Sequence, residues 1–294
     1  MVDRMPDLLA GDVITGALRE LVGQFDATER AMLANEPEGV HEHRTTVRRL
    51  RSTLGAYRDL FDPFAVDELR RRLREWGTAL GVVRDHEVAA AQAESLIADI
   101  PSARDDPRLG ERLITAERAA AEAAYRRLLE IHEFERLRAT RARLHDFAAN
   151  PPMTPDAGAP ASVLKATLAR EGERVLRKGQ RMTGSLESQH AYRKSARRLR
   201  YAVEAAMIDP PGLFGRRTRR VGTAAHRIQK RLGDHRDAVL LVRRIERTRV
   251  RAGRAQEETS GYDDLAAAAR VLADDALVDR ASPKLAAAVE AIAG

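Results

Sequence analysis

One stretch of eleven residues occurs twice in this chain, and it constrains the fold more than any other feature. It reads His41-Glu42-His43-Arg44-Thr45-Thr46-Val47-Arg48-Arg49-Leu50-Arg51 and returns as His190-Ala191-Tyr192-Arg193-Lys194-Ser195-Ala196-Arg197-Arg198-Leu199-Arg200. At an offset of 149, the copies agree at His41/His190, Arg44/Arg193, Arg48/Arg197, Arg49/Arg198, Leu50/Leu199 and Arg51/Arg200. A second pair follows downstream: Leu80-Gly81-x-x-Arg84-Asp85 matches Leu232-Gly233-x-x-Arg236-Asp237 at an offset of 152. The offsets differ by only three residues. One long unit has therefore been duplicated, and both halves are expected to fold alike.

The repeated stretch reads as an amphipathic helix with a cationic stripe. At about 100° per residue, His41, Arg44, Arg48 and Arg51 fall within roughly 80° of one another. Val47, Leu50, Leu54 and Tyr57 gather about 120° away. In the second copy His190, Arg193, Arg197 and Arg200 take the same angles, with Ala196, Leu199, Val203 and Ala206 on the packing side. A solvated face drifts freely in charge type, whereas this stripe kept a His and its arginines through duplication.

Composition points to packed helices. Hydrophobic residues make up 44% and charged residues 32%, while aromatics reach only 4%. β-rich cores lean on aromatic and β-branched residues, so this balance predicts an all-α fold. Helices are expected over 12–34, 40–61, 64–99 with an interruption near Leu80-Gly81, 109–131 and 133–149, and a loop from Pro101 to Pro107. The second half repeats the plan over 162–182, 188–208, 213–231 and 234–252, then breaks near 257–262 before Ala-rich helices to the end. Between them, the four prolines of 150–161 mark a linker. The expected architecture is two tandem up-and-down bundles of about four or five helices each, over 1–150 and 151–294, related by a pseudo-two-fold axis.

Charge is uneven along the chain. The net charge is +7, but residues 1–150 carry 23 Lys and Arg against 27 Asp and Glu, leaving +11 for residues 151–294. From Arg216 to Arg251 there are thirteen Lys or Arg against three acids. A field of this kind attracts polyanions and weakens with salt. No apolar run reaches the roughly 18 residues needed to span a bilayer, and Met1 to Asp7 lacks a signal-peptide core. A cytoplasmic protein without membrane attachment is the expectation. With no cysteine, disulfides, thiol catalysis and Cys-based metal sites are excluded.

The motifs Val40-His41-x-x-Arg44-x-x-x-Arg48-Arg49-Leu50-Arg51 and Leu80-Gly81-x-x-Arg84-Asp85, with their second-half counterparts, resemble the CHAD domain, the conserved histidine α-helical domain. The resemblance covers roughly residues 11–250. One departure is Gln189 before His190, where the first copy has an apolar Val40. The resemblance implies paired helical bundles with a basic groove that binds inorganic polyphosphate and targets the protein to polyphosphate granules, with granule proteins as further partners. Family members are often joined to a CYTH-type triphosphate-tunnel domain. No Glu-x-Glu-x-Lys motif stands near the start of this sequence, so a stand-alone member is expected.

Physical chemistry agrees with that ligand. Polyphosphate is a dense flexible line of oxygen acceptors, and the planar arginine fork gives each phosphate two charge-assisted hydrogen bonds. The expected groove is lined by His41, Arg44, Arg48, Arg51, His190, Arg193, Arg197 and Arg200, supported by Arg49, Arg84, Lys194, Arg198, Lys230 and Arg236. His41 and His190 are read as phosphate contacts, with a helix-start packing role as the alternative. Asp85 and Asp237 are expected to orient neighbouring arginines, Gly81 and Gly233 to allow close helix approach, and Trp76 to lie in the core. His41-x-His43 sets its side chains about 160° apart, which disfavours chelation.

No Gly-rich phosphate loop, His-Glu-x-x-His or Gly-x-Ser-x-Gly motif occurs. A binding protein with no cofactor is expected rather than an enzyme. Two other readings of the stripe are a nucleic-acid-binding surface and a divalent-metal phosphohydrolase using Glu42, Asp59, Asp85 or Asp237. Base-reading single-strand binders interleave aromatics with their cations; near the motifs stand only Tyr57, Tyr192 and Tyr201, and Tyr57 and Tyr201 sit at packing angles.

Overall fold

A computed structural model describes residues 8–104, 106–275 and 282–293. The segments expected at Met1 to Asp7, and part of the final Ala-rich region, lie outside the described residues. The described chain is all-α. The first half holds α1 (Ala10–Leu33), α2 (Gly39–Ala56), α3 (Pro63–Asp99), two single turns α4 (Pro101–Arg104) and α5 (Pro107–Gly110), α6 (Ala116–His132) and α7 (Glu135–Ala149). The second holds α8 (Val163–Gln180), α9 (Leu186–Ala206), α10 (Arg216–Arg254), α11 (Ser260–Asp275) and α12 (Pro283–Ala293). Among the described residues, extended pairing is limited to the isolated bridges Leu9 with Pro160 and Phe61 with Met153.

The two Leu-Gly sites do not interrupt their helices. α3 runs unbroken for 37 residues through Gly81, and α10 for 39 through Gly233. A helix-interior glycine costs only about 1 kcal/mol relative to alanine, and the burial of Leu80 and Val83 around Gly81 and of Leu232 and His235 around Gly233 offsets that easily. The motif helix α2, by contrast, ends earlier than Pro63 requires. It stops at Ala56 and a 3-10 turn over Arg58–Leu60 follows. Asp62 then accepts from the Ala65 amide at 2.8 Å, capping α3 with Pro63 in its favoured first position.

The chain condenses into two compact units that cut across the sequence halves. One contains α1, α2, α3 to Thr78, α7, α8, α9, α10 to Gln229, and α12. The other contains α3 from Ala79, α4 to α6, α10 from Lys230, and α11. Two of the boundaries fall inside the long helices α3 and α10, and each half of the sequence supplies both units.

In the first unit α2 packs on α1 and on α9, and α8 packs on α9 and α12. The packing stripes expected from the wheel are buried there: Val47, Leu50 and Leu54 on α2, and Ala196, Leu199 and Val203 on α9. The buried Tyr57 hydroxyl donates to the Ala202 carbonyl at 2.7 Å, tying the end of α2 to α9. The proline-rich segment after α7 belongs to this same unit and is pinned by backbone hydrogen bonds. Asp62 N–H donates to the Pro152 carbonyl at 2.7 Å, Thr154 N–H to Leu60 at 3.0 Å, and Ala10 N–H to Ala159 at 2.8 Å.

Gly39 fixes how closely α2 starts against α1. A Cβ at that position would lie 2.8 Å from the Ala31 carbonyl oxygen, which is backbone and cannot turn aside. Gly39→Ala is therefore expected to destabilise the protein by about 1–3 kcal/mol, the usual cost of overpacking. Urea denaturation of the two proteins checks this.

The second unit has its own apolar core. Leu96 and Ile97 from α3, Leu109 and Leu113, Leu241 and Ile245 from α10, and Tyr262 and Leu265 from α11 are all buried in it. The segment expected as a loop from Pro101 to Pro107 instead supplies the turns α4 and α5. Ala103, on α4, is fully buried, and that apolar contact is what draws the segment into helical turns.

Candidate functional site

Within the first unit α2 and α9 bring the two copies of the cationic stripe together. Arg48 feels Arg44, Arg193 and Arg200, and Arg197 feels Arg48, Arg193 and Arg51. Burial is the first cause of a lowered pKa at both, and the neighbouring guanidinium charges add to it, with Tyr201 acting in the opposite sense. Arg197 is brought down to about 10. Arg51 also falls to about 10, through burial and then through Arg74 and Arg70. Guanidinium groups keep their protons even so. Their lowered values reflect burial first and the crowding of like charge second.

Arg70 and Arg74, on the first part of α3, belong to this cluster and were not among the residues expected from the motif. Lys194 has its pKa lowered by burial and then by Arg51, Arg197, Arg74 and Arg70. The sequence signal was their i, i+4 spacing, which places both on one face of α3. What it lacked was a reason to turn that face toward α2. The approach is close at Gly77, where even a Cβ would be in van der Waals contact with Val47 at 3.4 Å and with the Arg51 guanidinium at 3.8 Å.

The cations divide by what holds them. Arg49 faces Glu204 at 3.4 Å, and Arg200 meets the same carboxylate at 2.6 Å. Both guanidinium groups lie over the ring of Tyr201, at 5.8 and 5.3 Å. Arg200 also donates to His226 Nδ1 at 2.8 Å. Arg198 pairs with the buried Glu171 at 2.7 Å and donates to the Gly55 carbonyl, so it serves the joint between α9, α8 and α2. Arg48 donates to Thr45 Oγ1 at 2.9 Å. Among the described residues no carboxylate pairs with Arg51, Arg74, Lys194 or Arg197. This set is a patch of positive charge without internal neutralisation among the described residues, Arg51 and Arg197 partly buried and Arg74 and Lys194 exposed at its edge.

His41 is half-buried and His190 exposed, in the opening turns of α2 and α9. Arg84, Lys230 and Arg236, expected as supports, fall in the other compact unit, as do Asp85 and Asp237. There Arg84 pairs with Glu87 at 3.1 Å and Lys230 with Asp234 at 3.1 Å. Among the described residues, no three His, Asp or Glu side chains are grouped to hold a metal, and no helix is long and apolar enough to cross a membrane.

The histidine that the motif spacing did not single out for packing is the most buried one. His43 is fully buried, and the Trp76 indole N–H donates to its Nε2 at 2.8 Å. Nδ1 therefore carries the proton and faces Thr28 Oγ1 at 3.1 Å, which itself donates to the Gln24 carbonyl at 2.8 Å. Trp76 lies in the core, as its sequence position suggested. Burial lowers the His43 pKa to about 4. Because His43 sits beside Arg44 on α2, this lock sets the rotation of the helix that carries the first stripe.

All three tyrosines near the motifs are buried: Tyr57, Tyr192 and Tyr201 are each 2% exposed or less. None offers a ring face on which a base could stack.

Comparison with known proteins matches this arrangement to one family. Two curated proteins of Mycobacterium tuberculosis, the uncharacterized proteins MT2285 (strain CDC 1551) and Rv2226 (strain H37Rv), are each 29% identical over 267 residues. The match takes in 85% of this chain and 48% of theirs, so the chain spans about half the length of the curated relatives it matches. Among solved structures, PptA from Streptomyces chartreusis superimposes with a TM-score of 0.67 at 20% identity, over 97% of this chain and 98% of its own. The CHAD domain from the plant Ricinus communis gives 0.69 at 21% identity, over 97% and 93%. These two likenesses establish the fold. The CHAD domain family model covers residues 16–246, which takes in both motif helices and nearly all of both long helices, and on that extent the chain belongs to the CHAD domain family.

Proposed function

We propose that the protein binds inorganic polyphosphate along the cationic face shared by α2, α9 and the start of α3, without catalysing its breakdown. The observation that carries this reading is the set Arg51, Arg74, Lys194 and Arg197. Four cations gather on one face, Arg51 and Arg197 partly out of water and Arg74 and Lys194 at its exposed edge, and among the described residues no carboxylate pairs with any of them, a cost that a bound polyanion would repay. A line of phosphates supplies that compensation at regular intervals, and arginine can meet it in bidentate fashion. Family membership supports an association with polyphosphate in general, and buried tyrosines disfavour recognition of bases. We assign the protein a place at polyphosphate granules on the same grounds.

Calorimetric titration with long-chain polyphosphate at several salt concentrations tests the reading. With six to eight phosphates engaged, the logarithm of the affinity should fall against the logarithm of salt with a slope of about −4 to −6, taking about 0.7 per phosphate from single-stranded nucleic acid. A mixed-sequence RNA of matched charge should fail to displace the ligand. Equal competition by RNA would replace this reading with a general polyanion surface, and release of orthophosphate in the presence of Mg²⁺ or Mn²⁺ would replace it with a phosphohydrolase.

A further inference from the structure

A recess of about 440 Å³ opens in the first unit where α8 faces the end of α2. Six arginines line it against three acids, Asp59, Glu171 and Glu173. The volume is that of a small-molecule site, yet its walls are guanidinium groups rather than apolar side chains.

The six arginines are held in two different ways. Arg58 and Arg198 are committed, each at 2.7 Å from its carboxylate, Asp67 and Glu171 respectively, and Arg70 pairs with Asp67 at 3.3 Å. Arg170, Arg174 and Arg177 are not so paired with a carboxylate, although Arg170 donates to the Thr167 hydroxyl at 3.1 Å. Their nearest carboxylates are Asp59 at 3.8 Å, Glu171 at 3.7 Å and Glu173 at 3.6 Å, all too long for hydrogen bonds. These three arginines are more than half exposed, and ion pairs of that kind contribute little. Spaced i, i+4, i+7 on α8, they share one helix face. A stronger anion entering the recess exchanges three loose contacts for charge-assisted hydrogen bonds.

Arg70 connects this recess to the cationic face. It acts on Arg51 and Lys194 there, and on Arg198 in the recess wall. Positive charge is thus continuous from the α2 and α9 stripes, past Arg70, to the arginines of α8.

We propose that this recess is a second anion site that takes the terminal phosphate of a polyphosphate chain, or a short oligophosphate, while the stripe on α2 and α9 takes internal phosphates. It rests on the reading of that stripe as a polyphosphate site. The chemistry distinguishes the two positions. An internal phosphate carries about one negative charge, whereas a terminal one has a second ionisation near pH 6, as a phosphomonoester does, and carries about −1.5 to −2. Adjustable arginines crowded into a pocket match the denser charge of an end. The extended stripe matches the repeating line.

Tripolyphosphate, which is largely chain ends, is the probe, with long-chain polyphosphate as the companion ligand. Replacing Arg170, Arg174 and Arg177 with Gln together removes the adjustable charges at exposed positions of a helix, with a residue of good helix propensity; circular dichroism verifies the fold. Tripolyphosphate affinity is expected to fall at least about tenfold, since each charge-assisted hydrogen bond contributes more than that factor. For long chains the salt slope should shrink by about 2, three contacts at about 0.7 each. Unchanged tripolyphosphate affinity in the triple variant, or no tripolyphosphate binding to the native protein, overturns the proposal. If tripolyphosphate binding is lost in the triple variant while the native protein fails to bind long chains, the recess stands and the reading of the stripe falls.

Discussion

Reversing Arg48 and Arg197 together to Glu is expected to abolish polyphosphate binding while leaving the protein folded and no less stable. Both groups lie inside the cluster of like charge, and each has its pKa lowered by burial and then by other arginines. Placing two carboxylates there removes repulsion that the native protein carries, so the thermal midpoint should hold or rise. The binding consequence is the opposite. Two phosphate contacts disappear and two anions stand where phosphates would lie, a change of about four charges, which should reduce the salt slope by about 3 as well as lowering affinity beyond measurement near physiological salt. Calorimetry and a thermal melt on the same samples give the decision. A double variant that unfolds would mean the arginines are structural, and one that binds normally would mean the ligand lies elsewhere.

Acidification from pH 7.5 to 5 is expected to cost about 2 kcal/mol of stability through His43 alone, rising to about 3 kcal/mol by pH 4. The unfolded chain takes up a proton at an ordinary histidine pKa near 6.5, while the folded protein refuses it until about 4. Between those values the unfolded state binds more protons, so stability falls as pH falls, and the loss levels off once the native histidine is protonated.

The groups around His43 titrate with their own signs. His132 has its pKa raised, chiefly by the hydrogen bond with Glu29, which outweighs burial. Its contribution is present below pH 6.5 and lost as pH rises, so it opposes the His43 effect. Burial alone would raise Glu29, but hydrogen bonds from His132 and Arg141 at 3.2 and 2.8 Å hold it lowered. Its contribution is lost only as pH falls below the usual carboxylate value of 4.5. Urea denaturation at pH 7.5 and 5 measures the slope, and His43→Gln, which cannot take up the proton, should flatten it. A fall in stability that survives in His43→Gln would overturn the assignment to His43, because His132 acts in the opposite sense and Glu29 contributes only below this range.

Most of the helices were legible in the sequence because their signal is local. Periodicity along one segment gave α8 and α9 within two residues of their ends, and it placed the buried stripes of α2 and α9 on the correct faces. The failures came where length or context overrode a local cue. Leu80-Gly81 and Leu232-Gly233 looked like interruptions, yet a glycine penalty of about 1 kcal/mol is small beside the burial of helices 37 and 39 residues long. The prolines of 150–161 do join α7 to α8, and backbone hydrogen bonds to Leu60 and Asp62 in addition tie them into one compact unit.

What the sequence determined by itself was the repeated motif, the all-α class and which residue types stand on the cationic stripe, since each depends only on order and spacing along the chain. Which cations meet was decided by the tertiary structure. Arg70 and Arg74 entered the cluster and Arg198 was drawn off to Glu171, because ion pairing depends on distances between helices that no single helix specifies. The same holds for His43, whose neighbour Arg44 belongs to the stripe while its own ring is closed in by Thr28 and Trp76. Periodicity assigns a face to each residue, but only packing decides whether that face meets water, a carboxylate or another cation.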